Sequence, residues 1–222
     1  MIVALTGGCD NSGRAHLANS LAALRALAGR NVLFARRSHT PAAGLKGEWT
    51  VVDVKSRAVS HQIADTSFQS ELEDVGFRYN DVVVDLADDD SAGSQAVLKK
   101  AEVVVLFSQS AAIDLKCRLK FQERLGAAAG ANPALRVLLV VADVQIGFFA
   151  HELGTVLDFP TGIPNMNVRS VLVSDLFDAQ RAVITAPDIS EYATAQECVR
   201  PEMRNVYCAV FQRGNNARAV NV

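Results

Sequence analysis

Met1-Ile2-Val3-Ala4-Leu5-Thr6-Gly7-Gly8-Cys9-Asp10-Asn11-Ser12-Gly13-Arg14-Ala15-His16-Leu17-Ala18-Asn19-Ser20-Leu21-Ala22-Ala23-Leu24 is the stretch on which the fold turns. A short apolar run ends at Leu5, a glycine-containing loop follows, and Ala and Leu then recur near a period of 3.6. This reads as strand, loop, helix, with the helix over Arg14 to Ala28. In that layout backbone N–H groups and the positive end of the helix face an incoming anion. The motif G-x-x-x-x-G-K-[ST] places a Lys on the β/γ-phosphates and a hydroxyl on Mg²⁺. Laid on it, the glycines are Gly8 and Gly13, the Lys position holds Arg14, and the Ser/Thr position holds Ala15.

Further strands read at Val32–Ala35, Thr50–Val54, Val82–Asp85, Val103–Leu106 and Arg136–Val141, with a late one at Ser170–Val173. Nearly continuous apolar runs mark strands buried on both faces of a parallel sheet. Helices read between them at Ser67–Gly76, Ser91–Lys100 and Asp114–Ala128, and a last one at Glu191–Phe211. The alternation predicts an α/β fold: a doubly wound, mostly parallel sheet with helices on both faces. One domain is expected over 1–213, with a loose tail over 214–222. His39 to Trp49 and Gly147 to Asn167 read as loops rich in Gly, Pro and aromatics.

The chain has 222 residues, half of them hydrophobic and 21% charged, enough to bury a large core without staples. A net charge of −2 gives no general pull toward nucleic acid or membrane. No apolar run is long enough to span a bilayer, and the first residues lead straight into a strand rather than a secretory leader. Cys9, Cys117, Cys198 and Cys208 lie far apart without metal-ligand spacing, so free thiols in a reducing cytoplasm are expected.

Beyond the first loop, several motifs occur in the order found in the ParA/MinD family of partition and positioning ATPases, which this chain resembles to about Val141. The family's K-G-G-x-G-K-[ST] loop falls on Cys9 to Ala15, with the signature lysine at Cys9. Gly29-Arg30-Asn31-Val32-Leu33-Phe34-Ala35-Arg36-Arg37-Ser38 resembles the G-x-x-V-L-x-x-D-x-D strand, with Arg36 and Ser38 at the two aspartates. Tyr79-Asn80-Asp81-Val82-Val83-Val84-Asp85-Leu86-Ala87 resembles the Walker B strand and keeps Asp85. Ala101 to Phe107 and Ser110 to Leu115 resemble the A-D-x-V-x-x-P strand and the S-x-x-D-L helix start. The resemblance implies a P-loop α/β fold, ATP or ADP with Mg²⁺ as cofactor, and a homodimer that sandwiches two nucleotides.

The candidate nucleotide or phosphate site is therefore Gly8, Cys9, Asp10, Asn11, Ser12, Gly13, Arg14, Ala15 and His16, with Asp85 as the metal ligand. Each has a plainer alternative. Cysteine brings no positive charge to a phosphate, so Cys9 also reads as a small residue at a strand end. Arg14 keeps a cation with a planar fork suited to phosphate, or is a solvated side chain in the first helical turn. Asp10 and Asn11 read equally as turn and cap residues. His16 has no neighbouring carboxylate to orient it and reads as structural. Asp85 is either a metal ligand or an inherited carboxylate, and Asp88-Asp89-Asp90 after it a solvated acidic loop. Lys116, Arg118, Lys120 and Arg124 form a cationic helix stripe that would meet DNA phosphates, or simply water. Arg200, Arg204, Arg213 and Arg218 make a second such group.

Losses at Cys9, Arg14, Ala15, Arg36 and Ser38 lead to one principal expectation. The chain is a catalytically degenerate member acting in plasmid partition or maintenance, conjugative transfer, or polar positioning of a secretion or pilus machine. Hydrolysis is expected to be absent. A dimer would form without ATP, through the Phe148-Phe149 loop or Pro160 to Asn167. An atypical but active ATPase and a DNA-binding accessory module remain as alternatives.

Overall fold

A computed structural model of the chain describes residues 1–7, 11–37, 48–54, 61–75, 78–86, 91–108, 115–141, 167–172 and 201–211. The strands are β1 (Ile2–Gly7), β2 (Val32–Arg37), β3 (Glu48–Asp53), β4 (His61–Ala64), β5 (Asp81–Asp85), β6 (Val103–Ser108), β7 (Arg136–Val141) and β8 (Asn167–Leu172). The helices are α1 (Asn11–Leu27), α2 (Asp65–Val75), α3 (Ala92–Lys100), α4 (Leu115–Ala131) and α5 (Pro201–Phe211). The eight strands form one sheet in the order β4-β3-β2-β5-β1-β6-β7-β8. β2 through β8 in that order run parallel, while β3 and β4 add an antiparallel edge. The predicted doubly wound, mostly parallel sheet is the observed one.

Strand alternation sorts the core into two layers. Val3, Leu5, Phe34, Val83, Val105 and Phe107 pack with Leu17, Ala18 and Leu21 of α1 and Val206 and Val210 of α5. Ala4, Leu33, Val84 and Val104 pack on the other face with Phe68 of α2, Val97 of α3 and Leu125 of α4. Both faces of the central strands are covered, which accounts for their continuous apolar runs. α3 begins at Ser91, whose Oγ accepts from the Ser94 N–H at 3.2 Å, and ends on Lys99 and Lys100, where cations suit the helix dipole. α5 is held similarly, because the Arg136 Nη2 of β7 donates to the Val210 carbonyl at 2.9 Å.

The edge departs from expectation. β4 has no counterpart in the sequence reading, since His61-Gln62-Ile63-Ala64 carries one large apolar residue. Ile63 nonetheless pairs with Trp49 of β3 and is buried. Trp49 in turn stacks on Phe68 of α2, ring centroids 4.0 Å apart and 6° from parallel. A four-residue edge strand offers little free ladder to other chains. Helix bounds also shift. α1 starts at Asn11 rather than Arg14, and α4 runs on to Ala131. Of the predicted 191–211 helix the structure describes Pro201–Phe211. The His39–Trp49 loop, apart from β3, lies outside the described residues. So do the Phe148-Phe149 loop, residues 160–166 and the 214–222 tail.

Candidate functional site

β1, at the centre of the sheet, delivers the chain from Gly7 toward α1 at the strands' C-terminal edge, where ligands of doubly wound folds bind. Two glycines there are dictated by space. A methyl group on Gly7 would lie 2.2 Å from the Phe107 carbonyl oxygen of β6. One on Gly13 would lie 2.7 Å from Cζ of the buried Phe107 ring. The Phe107 side chain thus fills the space beneath the first turn of α1. Gly8, Cys9 and Asp10 lie outside the described residues. Asn11, Ser12 and Gly13, expected in the loop, are helical backbone in α1.

Arg14 and Asp85, assigned separately to a phosphate and a metal in the sequence, are bonded to each other. The Arg14 Nε donates to Asp85 Oδ1 at 2.6 Å, with the two side chains 0% and 2% exposed. The local sequence explains the meeting. Arg14 is in helical phase with Leu17, Ala18 and Leu21, the stripe of α1 that packs on the sheet. Asp85 is two residues past Val83, which faces the same layer. Neither side chain has water to solvate it, so each serves as the other's counter-charge. The arginine also sits in the first turns of α1, where the dipole opposes a cation and the carboxylate offsets it.

A second pair fastens the far end of α1 to the same strand. The Arg25 Nε donates to Asp81 Oδ2 at 2.8 Å, and the Arg30 Nε approaches that oxygen at 3.3 Å. Arg25 lies in the last turn of α1, where the dipole favours it, and its guanidinium sits 4.6 Å from the Phe211 ring centroid of α5. Its Nη1 donates to the Tyr207 hydroxyl at 3.3 Å. α1 is therefore stapled to β5 by an Arg–Asp pair at each end, and α5 is tied in at one of them.

The cross-strand neighbours of Asp85 are Leu5 on β1 and Arg36 on β2. Arg36 is exposed and in phase with Phe34, so it stands on the α1 face beside Asp85. Asp85 is thus flanked by two arginines. Ala15 supplies no hydroxyl. Mg²⁺ does not fit Asp85 as the pair stands: an oxygen of that carboxylate is already held by the Arg14 guanidinium. Among the described residues no three His, Cys, Asp or Glu side chains gather as metal ligands. His16 is half-buried, and burial holds its imidazole below the ordinary 6.5. Thr6, just before the loop, has a buried hydroxyl without a hydrogen-bond partner among the described residues, on the opposite face in phase with Ala4.

The cationic stripe on α4 is only partly presented. Lys120 is exposed, but the guanidinium nitrogens of Arg124 are buried beside a groove of about 270 Å³ between α3 and α4. Lys99, Lys120 and Glu123 also line that groove. The side chains of Lys116 and Arg118 lie outside the described residues, as do Arg200, Arg213 and Arg218. Arg204 is exposed on α5. Among the described residues no helix is long and apolar enough to cross a membrane.

No family model matches the chain, and no curated protein matches it in sequence. Solved structures do match in shape. A variant of McdA from Cyanothece in complex with ATP has a TM-score of 0.57 at 10% identity, covering 94% of each chain. Protein DIP2308 from Corynebacterium diphtheriae has a TM-score of 0.56 at 14% identity, over 95% of this chain and 98% of that one. Cobyrinic acid a,c-diamide synthase from Mycobacterium smegmatis has a TM-score of 0.52 at 12% identity, over 87% of this chain and 92% of that one. At such identities the likeness is one of fold, and this chain has the α/β fold of those proteins over nearly its whole length.

Proposed function

We propose that this chain is a catalytically degenerate ParA-like protein that acts as an adaptor. Its setting would be plasmid partition or maintenance, conjugative transfer, or polar positioning of a secretion or pilus machine. One observation carries the reading: Arg14 and Asp85, in the positions of the phosphate lysine and the metal aspartate, are joined at 2.6 Å out of water. Phosphoryl transfer by this architecture depends on a lysine and Mg²⁺ to hold charge on the phosphates. A frame that keeps the strand, loop and helix yet spends both residues on each other retains shape rather than turnover. The fold shared with an ATP-bound McdA and the order of the family's motifs support the ParA-like part of the reading.

The test is cellular. A fluorescent fusion in the native cell should form positioned foci, and deletion should raise plasmid loss or misplace the polar machine. A diffuse fusion whose deletion changes neither contradicts the adaptor reading. The alternative of an active, atypical ATPase predicts foci that disappear when ATP is depleted and the chain's nucleotide site is mutated. The accessory DNA-binding alternative is favoured by salt-sensitive binding to random duplex that a Lys120→Glu change weakens.

A further inference from the structure

On the sheet face opposite α1, α3 and α4 lie side by side and leave a groove of about 270 Å³ between them. One stripe of each helix bounds it: Gln95 and Lys99 on α3, and Lys120, Glu123, Arg124 and Ala127 on α4, at spacings of three and four residues. The space exists because α4 from Gly126 to Ala131 is written in Gly and Ala. Only small side chains of that half of α4 face α3, and the buried Leu98 and Ala128 close the bottom. The rim is long and charged. Lys99, Lys120 and Glu123 are exposed, and the Arg124 guanidinium nitrogens lie buried beside it. Of the two lysines in the last turn of α3, Lys100 pairs with Glu73 of α2, and Lys99 lines the groove.

We propose that this groove is a binding site for a small phosphate monoester, held by Lys99 and Lys120 with its organic body on Leu98, Ala127 and Ala128. The inference goes beyond the adaptor reading and does not depend on it. Charge decides the class of ligand. Three cations and one carboxylate line the groove, which leaves a net +2. A phosphate monoester carries about −1.5 to −2 near pH 7, whereas a single carboxylate would neutralise half of that charge. Lysine ammonium groups bind phosphate as point charges, without the fixed fork of an arginine. Glu123, exposed on the same stripe, opposes a run of phosphates, so one phosphate group suits the groove better than a nucleic-acid backbone. Size sets the body. At about 30 Å³ per water the groove holds roughly nine waters, which is room for a phosphate with one ring or a short chain. Gln95, Lys120 and Arg124 also have interactions of their own within the chain, so the test reverses charge and does not rely on a free cation.

The isotope-labelled chain is titrated with phenyl phosphate and followed by its amide chemical shifts, beside orthophosphate and phenol at matched ionic strength. Phenyl phosphate should give saturable shifts on residues 95–99 and 120–128, with a Kd on the order of 1 mM for so small a ligand. Orthophosphate should bind about tenfold more weakly or worse, because it leaves the apolar floor uncovered, and phenol should not saturate. Lys99→Glu/Lys120→Glu changes two exposed positions and should weaken phenyl phosphate by about tenfold or more, with an unchanged circular dichroism spectrum. Ala127→Leu lays a larger side chain across the floor and should cut phenyl phosphate binding to the orthophosphate value. If the charge reversal does not fold, Ala127→Leu decides the matter. No saturable binding of phenyl phosphate, equal binding of orthophosphate or phenol, or shifts that map outside α3 and α4 overturn the inference. So does either variant binding as the wild type does. Duplex DNA that displaces phenyl phosphate at equal phosphate concentration also overturns it, and marks the face as a nucleic-acid contact.

Discussion

Breaking the Arg14–Asp85 pair from one side should damage the fold far more than removing it whole. Arg14→Met removes the cation bonded to a carboxylate that is 2% exposed, and Asp85→Leu removes the anion bonded to a guanidinium that is 0% exposed. An uncompensated buried charge costs about 3–5 kcal/mol, whereas apolar replacement of both partners is often neutral or stabilising. For a chain of this size, 1 kcal/mol moves Tm by about 2–4 °C, so each single change should lower Tm by roughly 6–20 °C. The double variant Arg14→Met/Asp85→Leu should fall within about 1 kcal/mol of the wild type. Urea unfolding followed by circular dichroism gives all corners of the cycle. Single variants within about 1 kcal/mol of the wild type, or a double variant as weak as the sum of the singles, would refute the picture of a desolvated, mutually neutralising pair.

Gly13→Ala should lose about 1–3 kcal/mol, because its new methyl would lie 2.7 Å from the Phe107 ring; in a Phe107→Leu background the same change should turn favourable, as alanine suits a helix better. Stability should fall as pH drops below about 6.5 in part through His16, since burial lowers its folded pKa and the unfolded chain then binds the extra proton. His16→Gln should flatten that slope, and unchanged acid sensitivity would remove the assignment. Thr6→Val should raise stability by about 1–2 kcal/mol, measured by urea unfolding, because it deletes a buried hydroxyl that has no partner among the described residues.

The sheet was legible because its central strands are buried on both faces and therefore written as nearly continuous apolar runs. β4 was not legible, because a short edge strand needs only Ile63 against Trp49, and the rest of it is polar. The start of α1 was read too late, since a glycine at position 13 looks like loop until Phe107 is found against it. Motif comparison located Arg14 and Asp85 as site residues but gave each a ligand outside the chain. Their bond was encoded in phase rather than in motif: Arg14 repeats with Leu17, Ala18 and Leu21, and Asp81 and Asp85 flank Val83 on the face that α1 covers. Two arginines of α1 eleven residues apart, and two aspartates of β5 four apart, match because the span along the helix, about 16 Å, is close to that along the strand, about 13 Å.

Release of phosphate from ATP by the purified chain, with Mg²⁺ and with and without duplex DNA, bears most directly on the proposal that the chain is catalytically degenerate. The account predicts no release above a protein-free control, and no difference between the wild type and Asp85→Ala. Turnover by the wild type that Asp85→Ala abolishes would contradict it.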